Sequence, residues 1–209
     1  MQKTTATLKL DVNPEGWSLF NQRQADPRFI EFSQKIYQRD QYLCHFCTKQ
    51  TQYYQAIVNL DRNYVNNKSS NLVTACGFCA QCFFLNSVGV GGYGGGVLIY
   101  LPEIPQAYLN AFCHTAFAAI DANTEYKETA QNAYRHLKLR TQVIESEWGE
   151  HMNEPALFAQ LLIELDDRSM LASNVFSSVR LLPSRTAFLK ERELEKQGDD
   201  SFPGLINNG

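Results

Sequence analysis

Cys44-His45-Phe46-Cys47 and Cys76-Gly77-Phe78-Cys79 decide how this chain is read. The two Cys-x-x-Cys knuckles have 28 residues between them, and each is short enough to turn tightly and present two thiolates to one cation. Zinc accepts four thiolates tetrahedrally without redox cost, and a closed four-sulfur shell leaves no position for water. Cys44, Cys47, Cys76 and Cys79 are therefore expected to hold one structural zinc ion, Zn2+, whose binding free energy becomes folding free energy. The competing account is four buried cysteines without metal. Cys82, about one helical turn beyond Cys79, either substitutes for a neighbour or packs as a small hydrophobe. Cys113 falls in an apolar helical stripe and reads as core.

Working outward, Asp26-Pro27 is a helix start, an N-cap acceptor followed by proline at the first helical position. Phe29, Ile30, Ile36 and Tyr37 then predict an amphipathic helix over about 27–39. Gln55 to Leu60 predicts a strand, Asn66 to Asn71 is turn chemistry, and a short helix is expected near the second knuckle. Toward the N-terminus, Leu8, Leu10 and Val12 alternate with Lys9 and Asp11, which predicts a short strand ended by Pro14 and Gly16. Beyond a glycine-rich stretch, Ser87 to Gly96, comes a strand candidate over Val97 to Leu101.

The second half reads as helical. Tyr108, Leu109, Phe112, Cys113, Ala116, Phe117 and Ile120 form a stripe at helical spacing. A polar helix is expected over about 124–148, a short apolar one over about 155–165, and a charged one from Pro183 to about Lys196. The expected division is an N-terminal segment with a short strand (1–23), a zinc-binding module (24–101), a helical lobe (102–196) and a poorly ordered tail (197–209).

Composition agrees with a globular protein: of 209 residues, 44% are apolar and 20% charged, with a formal net charge of −3. A duplex-DNA binder usually carries a basic surface, because phosphate neutralisation supplies its affinity; no such excess exists here. No signal-peptide core and no membrane-spanning run is present, so a cytoplasmic location without membrane insertion is expected. Thiols stay reduced there, which favours metal over disulfides for the six cysteines.

The segment from Arg39 to about Leu85 resembles an HNH-type ββα-metal module. The likeness rests on Arg39-Asp40-Gln41-Tyr42-Leu43-Cys44-His45-Phe46-Cys47, Val58-Asn59-Leu60, Asn71-Leu72 and Cys76-Gly77-Phe78-Cys79. It implies an α+β fold, an HNH-like ββα zinc module with an appended helical lobe. It also implies a nuclease centre that is broken here. Leu60 stands where the water-activating histidine would be and can accept no proton. Asn59 replaces the acidic ligand, Ala80 replaces a later His or Asn, and Asn71 persists, its simpler role being to fasten a loop or cap a helix. Asp61 alone does not make a metal-and-base pair, and His45 inside its knuckle faces solvent or supports the site from outside.

A longer likeness runs from Ile57 to about Glu103, IVNLDRNYVNNKSSNLVTACGFCAQCFFLNSVGVGGYGGGVLIYLPE, and resumes at Arg180-Leu181-Leu182-Pro183-Ser184-Arg185. There the chain resembles the IcmJ family, also called DotN, of Dot/Icm type IVB secretion components. That resemblance implies a non-catalytic, zinc-containing adaptor of the coupling complex. Its partners would be the C-terminal extension of the coupling ATPase and other coupling-complex subunits, in support of effector translocation and virulence. No nucleic-acid partner is expected. The alternative is a diverged HNH nuclease or a DNA-binding module.

Other signals carry less. Gly89-Val90-Gly91-Gly92-Tyr93-Gly94 fits G-x-G-x-x-G, but the strand-before, helix-after context of a dinucleotide site is missing. Close backbone packing is the better account, and a partner-binding loop anchored by Tyr93 is the other. Phe83-Phe84, Tyr53-Tyr54, and Trp17 with Phe20 and Arg23, are read as core or as an exposed groove. His114 and His136 are read as ordinary helix residues, and Glu191-Arg192-Glu193 as a solvated face.

Overall fold

The computed structural model describes residues 7–50, 54–165 and 176–197. The tail expected beyond Gln197, and Tyr53 of the Tyr53-Tyr54 pair, lie outside those residues.

Leu8, Leu10 and Val12 are buried and Lys9 exposed, as their alternation requires, yet they form no strand. Asp11 instead stitches this extended stretch to the loop after the second knuckle: its N–H donates to the Cys82 carbonyl at 2.9 Å, and its carbonyl accepts from Leu85 N at 2.9 Å. Pro14 and Gly16 do not end an element; they open α1, Pro14–Gln24. Proline is tolerated at the first helical position because that N–H has no helical partner, and the Asn13 side chain caps Gly16 N at 2.8 Å. α2 spans Pro27–Arg39, as read, with Asp26 capping Arg28 N at 2.9 Å.

α2 lays Phe29 and Ile36 on Ile57 and Leu72. These belong to β1, Gln55–Asn59, and β2, Leu72–Cys76, an antiparallel pair in the register Gln55↔Cys76 to Asn59↔Leu72. Side chains cover the outer edge of β2: Arg39 Nη2 donates to Leu72 O at 2.6 Å, and Asp40 Oδ2 accepts from Thr74 N at 2.9 Å. The Arg39-Asp40 pair of the sequence motif thus satisfies backbone groups that an edge strand would leave open. The one-turn helix α3, Gly77–Ala80, follows β2 directly. A Cβ at Gly77 would overlap the Tyr54 ring, so only glycine allows that ring to lie against the knuckle.

A second antiparallel pair joins distant parts of the chain. β3, Gly96–Tyr100, meets β4, Val179–Pro183, in the register Gly96↔Pro183 to Tyr100↔Val179. The half of the chain read as helical therefore supplies a strand. Its helices are α4 (Gln106–Asp121), α5 (Lys127–Leu139), α6 (Thr141–Trp148), α7 (Pro155–Glu164) and α8 (Arg185–Gln197). The single polar helix expected over 124–148 is divided at Arg140, whose carbonyl accepts from Tyr100 N of β3 at 3.4 Å and whose Nη1 reaches Glu103 at 2.9 Å. One cluster of buried residues runs from Leu8 to Phe188 and includes both strand pairs.

The glycine run is split: Gly89, Val90 and Gly91 are exposed, and the stretch from Tyr93 packs inward. Tyr93 is buried with its ring centroid 4.4 Å from that of Trp17, so it is no exposed anchor. Gly94 has φ +58°, and a Cβ there would strike the Gln81 side chain, which accepts Gly95 N at 2.9 Å. Phe20, Phe83, Phe84 and Tyr54 are buried too, which settles the groove reading of these rings in favour of core.

Candidate metal centre

The first knuckle is closed by its own backbone: Cys44 N donates to Lys49 O at 2.8 Å, and Thr48 N to Cys44 O at 3.0 Å. The second begins at the last residue of β2 and continues into α3. Together they bring the sulfurs of Cys44, Cys47, Cys76 and Cys79 within 4.8 Å of one another, all buried. The Cys47–Cys76 pair is 3.5 Å apart. A tetrahedral zinc with Zn–S of about 2.3 Å needs sulfur–sulfur edges of about 3.8 Å, so this donor set could hold a metal ion of that size. Without a cation the four groups compete for charge. Burial opposes ionisation of Cys44, but hydrogen bonds from Cys47, Cys76 and Cys79 outweigh it and hold its pKa well below an ordinary thiol's. Burial, with Cys44 and Cys47 adding to it, pushes Cys76 and Cys79 well above it.

Cys82 lies outside the cluster. It is fully buried, directs its sulfur at the Phe78 carbonyl at 3.3 Å, and has its pKa pushed up to about 12 by burial. It packs as a small hydrophobe. Cys113 is likewise buried and raised by desolvation. Half-buried His45 is held through its backbone, with its N–H to Thr74 O at 2.8 Å.

Two residues of α4 touch the sulfurs. Asn110 Nδ2 is 3.2 Å from Cys79 Sγ and 3.1 Å from Phe78 O. His114 Nε2 is 3.3 Å from Cys76 Sγ, its ring stacked on Phe78 at 4.1 Å. His114 is therefore not an ordinary helix residue. Burial, with Lys49 adding to it, pulls its pKa down to about 3, so the ring is neutral at physiological pH. Its Nδ1 lies 4.0 Å from Glu191 Oε2. Glu191 is fully buried and paired with Lys49, so the solvated-face reading fails for it. Arg192 and Glu193 are exposed, and so is His136.

The far end of the β1–β2 pair carries a different polar group. Arg23 of α1 is buried; its Nη1 donates to Asn59 Oδ1 at 2.7 Å, and its Nη2 donates to the Ile57 carbonyl. The guanidinium sits 4.6 Å from the Phe29 ring centroid and 4.8 Å from that of Tyr64. Burial lowers its pKa to about 10, which leaves it charged at neutral pH. Asn59 Nδ2 donates to Asn63 O and Asn66 O, both at 2.8 Å. Next to it, the exposed Asp61 carboxylate accepts from Asn66 Nδ2 at 2.6 Å, Asn71 Nδ2 at 2.8 Å and Asn63 N at 3.0 Å. Slight burial opposes these bonds but they win, and its pKa falls below the ordinary carboxylate value. Asn71 fastens this loop, as read. Leu60 packs partly buried against the core, and Ala80 is fully buried.

The chain is 54% identical over 187 residues, 89% of its length and 87% of the relative's, to the type 4 apparatus protein DotN of Legionella pneumophila subsp. pneumophila. The chain belongs to the DotN family. No family profile matches it, so membership rests on that pairwise identity. Among the described residues the chain combines helices with two small antiparallel pairs, an α+β arrangement with a buried four-cysteine cluster.

Asn110 and His114 reach the cluster sulfurs, although no motif spacing points to them. The signal lies elsewhere: Gln106, Asn110 and His114 recur every fourth residue on an otherwise apolar helix, a polar row that must find partners if buried. All three are buried.

Proposed function

We propose that this chain is a non-catalytic, zinc-containing adaptor of a type IVB secretion coupling complex. It binds the C-terminal extension of the coupling ATPase and supports effector recruitment and export. Its identity to a type 4 apparatus protein over nearly the whole of both chains carries the reading and supports a type IV secretion role with protein partners in the apparatus. In this account zinc is held by Cys44, Cys47, Cys76 and Cys79, and its chemistry is structural: four thiolates close its shell and tie the knuckle at 44–47 to β2 and α3. The HNH-like module of residues 24–101 would then be the scaffold, and the lobe of 102–196 a contact surface. Among the described residues no helix is long and apolar enough to cross a membrane. That suits a cytoplasmic protein recruited to the inner membrane through its partners.

Three observations support the non-catalytic part. Asn59, at the acidic position of the resembled nuclease, is bound to a guanidinium of the chain itself. Asp61 is spent on loop amides. Leu60 offers no proton acceptor. The test is co-purification with the ATPase's C-terminal segment. A complex at micromolar concentration is expected, together with about one zinc per chain. No complex would overturn the adaptor reading, and metal-dependent nicking of DNA abolished by Asp61→Ala would return the nuclease reading.

A further inference from the structure

We infer that Asn110 and His114 are positioning residues for the sulfur cluster, each giving an N–H to a different cysteine and together setting how tightly metal is retained; this rests on the proposed metal reading. For His114 the direction follows from the proposed metal reading, because a metal-bound thiolate can only accept and the neutral ring must then carry its proton on Nε2; for Asn110 it follows from a chain of partners that begins in β4. Leu181 N is a backbone donor and can only donate, which it does to Gln106 Oε1 at 2.8 Å. Gln106 must therefore present its NH2 group elsewhere, and Nε2 reaches Leu181 O at 2.7 Å and Asn110 Oδ1 at 2.8 Å. Asn110 has thus given its oxygen to Gln106, which turns its NH2 toward Cys79 Sγ and Phe78 O. No flipped amide satisfies all these groups. His114, one turn further along the same face of α4, points Nε2 at Cys76 Sγ, with stacking on Phe78 fixing the plane of its ring.

The physical consequence is specific. Four thiolates around a divalent cation leave two negative charges in a buried place, where uncompensated charge is costly. Each N–H directed at a sulfur withdraws part of that charge, lowers the thiolate's tendency to take up a proton and leave the metal, and blunts its nucleophilicity. Outer partners of this kind commonly change metal affinity by about 10- to 100-fold when removed. Because both donors lie on α4, and Asn110 is oriented through Gln106 by β4, the second strand pair is coupled to the cluster by hydrogen bonds rather than by packing alone.

The experiment uses the full chain loaded with zinc, or with cobalt as a spectroscopic substitute. His114→Phe keeps a ring to stack on Phe78 and removes only the donor; Asn110→Ser removes the amide that reaches Cys79. The expected result is zinc release to a chromogenic chelator about 10- to 100-fold faster than wild type for either folded variant. A shift of the sulfur-to-cobalt charge-transfer band to longer wavelength should accompany it, because the sulfur lone pairs rise in energy. His114→Gln, which restores an N–H, should return both readouts toward wild type. A structural role would lower the melting temperature without moving the band. Either variant, folded and matching wild type in release rate and band position, would overturn the inference alone. A wild-type protein that binds neither zinc nor cobalt would strike the metal reading itself.

Discussion

The two ends of the β1–β2 pair bury polar groups in opposite ways. At the Cys76 end, four sulfurs converge, and α4 points N–H groups at two of them. At the Asn59 end the positive charge belongs to the protein: Arg23 donates to Asn59 and Ile57 and lies among aromatic faces. One centre is a set of donors that could hold a cation from solution; the other carries its cation on α1. A buried site that resembles a metal cradle in sequence can therefore be closed by a side chain from an element that the motif does not include.

The largest test of that contrast is Cys76→Ser. A structural four-sulfur zinc contributes apparent free energies of about 10–16 kcal/mol, comparable with the whole stability of a domain, so the variant should be recovered largely unfolded and depleted of metal. Normal soluble yield and zinc content would show that the sulfurs merely pack. Arg23→Met probes the opposite end. It orphans Asn59 Oδ1 and the Ile57 carbonyl, at a cost of about 3 kcal/mol in urea unfolding, while zinc content stays at the wild-type level. Loss of metal from this variant would merge the two centres into one. Cys113→Ser, at a buried cysteine outside the cluster, should cost about 1–2 kcal/mol by burying a hydroxyl and leave metal content alone. Smallest is Asp61→Ala, about 1 kcal/mol or less at neutral pH. The hydrogen bonds to Asp61 depress its pKa in the folded state, so its contribution exists above the unfolded value and is lost as pH falls through the folded one. Wild-type and variant stabilities should then converge as pH drops below about 4. A difference that persists in acid would mean the loop depends on something other than the carboxylate.

The parts legible in the sequence were those with local causes. α2 followed from Asp26-Pro27 and its apolar spacing, and the four-cysteine cluster from two short knuckles. α1 is hard to see in the sequence because Pro14 and Gly16 read as breakers, although Asn13-Pro14 carries the same cap-and-proline grammar as Asp26-Pro27. The burial of Glu191 was invisible for another reason: its partner Lys49 lies 142 residues away in the chain, and a Glu-Arg-Glu run on a helix looks solvated until something covers it. Arg23 likewise became meaningful only once α1 was laid beside β1. Its neighbours Trp17 and Phe20 had suggested a surface or a core, but not a buried cation.

The pairing of Gly96–Tyr100 with Val179–Pro183 bears on how the protein is made. During synthesis β3 leaves the ribosome long before its partner exists, and Gln106 emerges with no Leu181 to hold it. A polypeptide halted just before Val179 would present a bare strand edge and exposed apolar surface, a combination that invites association with other nascent chains. The pair cannot close until Val179–Pro183 has emerged, which makes products truncated before it natural clients for chaperones and proteases.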